Sequence, residues 1–368
     1  MILLCSASFS IQSSTPPRMK KTLPKLVDLQ ALPGSRKAKL PVFVAPQLAT
    51  LVKEPPTGHE WLHELKFDGY RMLSRLEGGR VQLWSRNARD WTEKFPKVVE
   101  AVKCLPAKSA IIDGEIVIVD AQGRSSFQML QRSLGRGAAA GLVYTVFDLI
   151  YLDGFDLRQT PLRLRKDLLE TICKSAGTGL LRFSEHLEGN GEEFFRRACE
   201  YGIEGILSKQ ANSTYESARN RNWLKVKCNR RQEFVIAGYT PASKGLPGFG
   251  ALVLGVYEKE KLVYSGRVGT GFTFKQRAEL QKLLEKIATQ RSPLSSLPKD
   301  PGLKHTRWTQ PKLVAEVAFT EWTSDNFIRH PSFQALREDK NPKDVVREVP
   351  ADAATMRKRS SKKALSRK

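Results

Sequence analysis

The sequence predicts an α+β protein: a first, larger domain of antiparallel sheets with helices, then a small β-barrel of five strands with one helix. Three observations predict it. Residues 60–119 are dense in β patterns broken by tight turns. The apolar runs Ala110–Val119 and Val143–Leu152 have the residue types of central strands, with amphipathic helical stretches around them. At Asn229-Arg230-Arg231-Gln232 the character changes, and shorter strands follow with a single helix. The length suits two domains. The predicted divisions are a flexible basic extension over 1–35, a first domain over 36–229, a second over 230–350 and a basic disordered tail over 351–368.

The net charge of +23, from 61 basic against 38 acidic side chains, is the strongest compositional statement. A basic surface gains by releasing counterions from phosphates, so the charge points to nucleic acid as partner. Residues 357–368 hold seven Lys or Arg and no acid, yet the rest of the chain stays strongly basic without them. The cysteines, Cys5, Cys104, Cys173, Cys199 and Cys228, show no paired spacing. The expectation is therefore neither a zinc site nor a disulfide scaffold, in a reducing cytosol. No run approaches the ~20 apolar residues of a membrane span, and the apolar start Met1–Ala7 is too short for a secretory signal. A monomer with no membrane contact is expected.

In chain order, the basic residues from Arg18 to Lys39, opposed by Asp28 alone, suit either a nucleic-acid backbone or an idle extension. Leu40–Val44 leads into the body of the protein. The stretch on which the rest turns is Glu64-Leu65-Lys66-Phe67-Asp68-Gly69-Tyr70-Arg71. A lysine is a nucleophile only as the neutral amine, so cations or burial must lower its pKa. A carboxylate lies two residues away, a guanidinium five, and Gly69 permits a sharp turn between them. On a strand, Asp68 would share the face of Lys66 and Phe67 would point into the core. Read for chemistry, Lys66 attacks a phosphorus centre while Arg71 holds a phosphate. Read for structure alone, Asp68-Gly69 is a surface hairpin turn.

Tyr70–Leu76, the turn Glu77-Gly78-Gly79 and Val81–Trp84 form a hairpin, which Arg86 leaves at a turn able to aim it back at Lys66. A helical stretch surrounds Phe95–Val99. In Ala110–Val119, Asp113 and Glu115 share a face, and a carboxylate buried there must be paired, hydrogen-bonded or metal-bound. Phe127–Gln131 begins a helix that fades over 135–141. Phe147, in the strand closed by Asp153-Gly154, is either core or a platform for a base. Pro161–Ile172 reads as an amphipathic helix with exposed basic residues, and Asn190–Tyr201 as another helix. Glu204 and Lys209 bound a short apolar strand. In Trp223–Cys228, Lys225 and Lys227 share one face while Leu224 and Val226 face the core. Two such cations repel unless an anion lies across them, although alternating lysines on a strand are also a common solvated pattern.

Phe234–Tyr239, Ala251–Tyr257, Lys261–Val268, the helix Phe274–Ala288 and the strand Leu313–Phe319 give the outline of the barrel, a type that binds nucleic acid. Gly245, Gly248 and Gly250 lack a following lysine and serine at Walker spacing, so a hairpin is expected there. Residues 289–312 read as loop. A weakly periodic segment leads to Arg337, Asp339 and Lys340.

Taken together and in order, these segments resemble the ATP-dependent DNA ligases of the covalent nucleotidyltransferase superfamily, in particular the ligase module of bacterial non-homologous end joining. The lysine-x-aspartate-glycine motif with its following arginine is matched by Lys66–Arg71, and the next motif by Ser85-Arg86-Asn87. Asp113-Gly114-Glu115, Phe147-Asp148, Glu204-Gly205 with Lys209, and Lys225-Val226-Lys227 correspond to those that follow. Gly266–Phe272 with Arg337, Asp339 and Lys340 resemble features of the accessory domain. The sequence departs from the family pattern at Ala88 and Ala218, where glycine is common.

The resemblance implies a nucleotidyltransferase (ATP-grasp-like ligase) domain followed by an OB-fold β-barrel, and three successive nucleotidyl transfers. Lys66 would take AMP from ATP, pass it to the 5′-phosphate of a nick, and the 3′-hydroxyl would then displace it. Lys225 and Lys227 would lie on the α-phosphate, completing with Lys66 and Arg71 the catalytic set. Phe147 would stack on adenine, the backbone of Glu64 and Leu65 would read its amino group, and Lys209, Glu115 and Arg71 would complete the nucleotide site. Arg337 and Lys340 would close over the pyrophosphate by a hinge near 228–232. Glu115 and Glu204 would ligate Mg²⁺ or Mn²⁺. Arg71 and Arg86 would grip the nick phosphate. The implied partners are double-stranded DNA with nicks or ends and a Ku-like end-binding protein. An RNA ligase and a GTP-dependent capping-type nucleotidyltransferase share this chemistry and stay open as alternatives. A binding module without chemistry is the third, and the full set of lysines and acids argues against it.

Overall fold

Alternating apolar side chains make the long strands of the first half into one ladder. It runs Arg80–Ser85, Tyr70–Glu77, Ser109–Ile118 and Leu142–Leu152, all antiparallel. A computed structural model describes residues 28–125, 127–133, 140–242, 248–298 and 300–351. The leader to residue 27, most of the glycine/alanine stretch, Gly245 and the basic tail fall outside these residues, and the expectations for them are not addressed. Among the described residues no helix is long and apolar enough to cross a membrane.

One face of this sheet packs on the helices Pro96–Lys103 and Leu162–Ala176, through Leu83, Val98, Val102, Ile112, Leu149 and Leu169. The other face meets a second sheet, ordered Leu187–Glu188, Trp61–Leu65, Gly205–Gln210, Arg219–Lys227, Leu48–Leu51. Phe147 and Tyr151 of the first sheet pack there with Tyr215 and Trp223. Two layers joined by an apolar seam leave a cleft where polar side chains replace the seam. Register then decides which side chains enter it. Arg71 lies opposite Glu115, and Glu115 opposite Thr145. Glu64 pairs across Leu207, which pairs across Lys225. As expected, Leu224 and Val226 are buried, here with Trp61, Ile206 and Ala198, and Lys225 and Lys227 alternate with them.

The helix expected to expose its basic residues does not do so throughout. Arg165 and Lys166 are fully buried. Arg165 donates to Asp148 Oδ1 and Oδ2 at 2.7 and 2.9 Å, because a carboxylate in a central strand must be matched by charge. The expectation of no disulfide is also corrected. Cys199, in the helix Gly191–Glu200, is bonded to Cys228, just past the strand Arg219–Lys227. Their separation of 29 residues conceals a contact made only by tertiary packing.

The third sheet corrects the barrel. Lys261–Val268, Phe249–Glu258 and Arg231–Pro241 pair in turn, and the last strand then divides its ladder between Arg307–Thr309 and Val314–Ala318. Val314–Ala318 pairs onward with Ser332–Leu336. Among the described residues this last strand has no ladder with Lys261–Val268, so the sheet stays open and no OB-fold barrel forms. The chain that would close it turns away after Val268 into the helix Phe274–Lys286, begun by a Thr273/Gln276 capping box. Among the described residues the gap is spanned by Phe333 N–H to the Thr270 carbonyl, 2.9 Å, by the Thr270 hydroxyl to the Pro331 carbonyl, 2.8 Å, and by the stacked rings of Phe272 and Phe333. Strand count and one helix cannot reveal whether first and last strands meet, which is what defines a barrel. Residues 289–312, expected as loop, contribute the strand Arg307–Thr309.

The turn after the hairpin explains one departure from the family pattern. Ala88 has φ +54°, in the left-handed region that glycine adopts without strain. Exchanging Ala88 for glycine is expected to raise the urea midpoint, with a net gain of about 0.5 kcal/mol after glycine's extra unfolded-state freedom is subtracted.

Candidate active site

Lys66 sits one residue past the end of the strand Trp61–Leu65, not on it. Its N–H donates to the Gly205 carbonyl at 2.9 Å, extending the ladder by one step and setting Lys66 beside Glu204. Lys66 Nζ donates to Glu204 Oε2 in a close ion pair. Phe67, expected in the core, lines the cleft instead, because the chain has already left the ladder. Gly69 serves close approach rather than a turn: a Cβ there would overlap the Ile116 carbonyl oxygen and press on Glu115 Cγ at 3.1 Å.

One cleft gathers the predicted residues. Glu64, Leu65, Lys66, Arg71, Arg86, Glu115 and Phe147 line it together with Glu204, Lys225 and Lys227, and Arg337 and Lys340 join them from beyond residue 230. Lys209 does not line it. Fully buried, its Nζ donates to Glu64 Oε2 at 2.9 Å and lies 4.2 Å from the centroid of the Phe147 ring. Glu64 also accepts from Lys166 Nζ at 2.8 Å and from the Ser184 hydroxyl at 3.0 Å. Its carboxylate therefore ties the floor of the cleft together, and Lys166 is a member that the sequence reading missed. The available signal was Glu64 itself, an acid in a strand whose residues Leu62, His63 and Glu64 are all buried. Burial lowers the Lys209 pKa to about 8, against the pull of Glu64 and with the push of Lys166.

The two arginines expected on a phosphate differ. Arg71 Nε and Nη2 donate to Asp113 at 2.9 and 2.5 Å, and Nη1 to the Gln47 carbonyl at 2.7 Å. Asp113 also accepts from Tyr215 at 2.7 Å, so Arg71 reaches the cleft from a fixed fork. Arg86 makes no ion pair or hydrogen bond among the described residues; burial lowers its pKa, against the pull of Glu233 and with the push of Arg71. Arg337 is held by Asp339, two bonds of 2.9 Å, and by Glu316 at 3.3 Å, and Lys340 pairs with Glu233 at 2.9 Å. The anion across Lys225 and Lys227 is in the chain itself. Glu348 Oε1 pairs closely with Lys225 and Oε2 accepts from Lys227 at 2.9 Å.

The charge state of Lys66 is the reverse of the expectation. Burial pulls its pKa down and Lys227 pushes the same way, but Glu204 outweighs them, with Asp68 in support, and the pKa stands above the ordinary lysine value. Self-adenylylation is therefore expected to accelerate with pH through the neutral range, by up to about tenfold per unit while the amine remains mostly protonated. Glu204→Gln removes the main raising charge, so the midpoint of the pH–rate profile, not only its height, should move to lower pH. Burial raises Glu115 to about 7, against Lys66, Arg337 and Arg71. Its carboxylate has no ion pair or hydrogen bond among the described residues, which leaves its oxygens available to a cation. Those residues contain no group of three or more His, Cys, Asp or Glu able to hold a metal alone. Two carboxylates beside a lysine pair suit a cation that would take its other ligands from a bound phosphate and water.

Two apposed sheets enclosing this lysine, aromatic platform and lysine pair define a nucleotidyltransferase-like enzyme. The ATP dependent DNA ligase domain family matches residues 46–227, and the ATP dependent DNA ligase C terminal region family matches residues 246–340. The chain belongs to the ATP-dependent DNA ligase family. It is 40% identical over 324 residues to the multifunctional non-homologous end joining protein LigD of Pseudomonas aeruginosa, covering 87% of this chain and 38% of that protein. The chain thus spans well under half the length of this relative. It is 34% identical over 201 residues to the SPbeta prophage-derived DNA ligase-like protein LigB of Bacillus subtilis, 54% of this chain and 73% of that one. A solved structure of mycobacterial DNA ligase D complexed with ATP and MES is 35% identical, with a TM-score of 0.61 over 83% of this chain and 98% of that chain. None of these comparisons favours an RNA ligase or a capping enzyme.

Proposed function

We propose that this ligase seals 3′-hydroxyl/5′-phosphate nicks or ends in double-stranded DNA through a lysyl-AMP on Lys66, and that it serves end joining. The observation that carries the reading is the convergence of Lys66, Glu204, Glu115, Lys225 and Lys227 on one cleft. Lys66 Nζ attacks the α-phosphorus of ATP, a P–N bond forms and pyrophosphate leaves. Glu204 Oε2 is the acceptor in contact with the amine proton that must depart first. Lys225 and Lys227 place fixed charge where the phosphoryl oxygens gain it. Phe147 supports the base, backed by the Lys209 cation on its ring. Glu115 and Glu204 would hold Mg²⁺ or Mn²⁺, whose chemistry there would be to neutralise phosphate charge.

AMP then moves to the 5′-phosphate, and the 3′-hydroxyl displaces it. Arg86, with its guanidinium unengaged, is the first choice for the nick phosphate, and Arg71 contributes from its fork. Arg337 and Lys340 orient pyrophosphate from a second domain, residues 230–350, that moves against the first, residues 36–229, about 228–232. The similarity to LigD, a non-homologous end joining protein, supports the end-joining role; a Ku-like end-binding partner is part of the proposal. Incubation with labelled ATP and a nicked duplex, with and without Mn²⁺, tests the reading. The expected result is acid-labile label on the Lys66 peptide and a sealed strand, with no label from GTP. Label mapped to another residue would overturn it.

A further inference from the structure

The segment Val345–Ala351 runs beside the cleft as a strap without regular secondary structure, and Val345–Val349 line an adjoining hollow with Arg86, Lys225 and Lys340 of the cleft wall. Val345 anchors one end: its side chain is buried and its carbonyl accepts from Tyr257 N–H at 2.7 Å. At the other end, Ala351 N–H donates to the Leu51 carbonyl at 2.9 Å, in a parallel bridge between Val52 and Ala351. Between the anchors Gln232 holds the backbone, donating to the Val346 carbonyl at 3.2 Å and accepting from Glu348 N–H at 2.9 Å. Only Glu348 reaches inward, one oxygen on each lysine of the pair.

We propose that Glu348 is an internal competitor of the nucleotide phosphate, a carboxylate that takes the Lys225–Lys227 pair until ATP or adenylated DNA displaces it. The inference rests on the reading of those lysines as phosphate holders. A carboxylate bridging two ammonium groups offers the same two-oxygen contact as a phosphate, so both cannot hold the pair at once. The strap is built to leave. Val346 and Val349 are 54% and 67% exposed, so lifting it uncovers little apolar surface between its anchors. Glu348 titrates low, near 2, where the lysines outweigh burial, so it carries its charge at every working pH. Glu204 and Glu233 also lie near the pair, but both stand on the sheets or their margins; Glu348 alone comes from a segment that can lift.

The test is equilibrium binding of ATP without metal to the full chain carrying Lys66→Ala, which cannot consume it. Glu348→Gln, close to isosteric, should tighten binding roughly tenfold, the factor by which a strap closed about nine-tenths of the time weakens a ligand. Ala351→Pro, which removes the N–H bound to Leu51, should tighten it in the same direction by a smaller factor without touching either lysine. In the enzyme that retains Lys66, Glu348→Gln should lower the KM for ATP in self-adenylylation more than it alters kcat. Unchanged or weaker binding in both variants overturns the proposal. If Glu348→Gln melts early, Ala351→Pro decides. Label on Lys66 with an unchanged KM rejects the strap alone, whereas absence of label in the parent rejects the lysine reading and the strap with it.

Discussion

Lys66→Ala is expected to abolish transfer of label from ATP to the protein, by about four orders of magnitude or more, the scale of loss when a covalent nucleophile is deleted. Sealing of a nick that already carries a 5′-adenylate continues at a reduced, measurable rate. The contrast follows from where the amine acts. In the proposed mechanism the first transfer makes a bond to Nζ and the second breaks it, whereas the third needs only the groups proposed to hold phosphate, Lys225, Lys227 and the arginines. Gel assay of both reactions on one preparation checks it. Equal loss in both would mean that the variant had lost the cleft rather than the nucleophile.

Glu64→Ala should destabilise the protein by about 3–5 kcal/mol, because Lys166 and Lys209 are then both buried without an anion. Against a total stability of about 5–15 kcal/mol, that is enough to unfold a marginal domain at moderate urea. The pH dependence has a definite sign. Burial raises the Glu64 pKa, but Lys166 and Lys209 overcome it and the carboxyl ends below its usual value. Its stabilisation is thus present above the unfolded carboxyl pKa and is lost as the pH falls through the folded one. The urea midpoints of parent and variant should be far apart at neutral pH and converge in acid. A constant gap would show that the carboxylate charge is not what holds the lysines.

Much of the fold was legible because period-two apolar patterning and Gly-rich turns are local. The hairpin over 70–84, the two long strands and the lysine-bearing strand are where their sequences put them. Closure of the third sheet was not legible, since it depends on whether Ser332–Leu336 and Lys261–Val268 meet, two short segments far apart in the chain. At the cleft, residue types marked the members but not their charge states. Lys66 reads as a nucleophile from its motif, yet Glu204, 138 residues away, holds its proton. Lys166 was hidden for a related reason: helical periodicity shows which face a residue occupies, not whether an acid on a distant strand draws it inward. Glu348 lay outside any pattern, and only the path of the strap brings it to the lysines.

The buried tie of Glu64 to Lys166 and Lys209 lies beneath the cleft, whereas Arg86, the first choice for the nick phosphate, stands at its wall with partial access to water. Mobile ions weaken exposed charges over roughly 8–10 Å at physiological strength but barely reach pairs sealed from solvent. Raising potassium chloride should therefore grade the catalytic cycle: loading of AMP persists at concentrations where capture of DNA has failed.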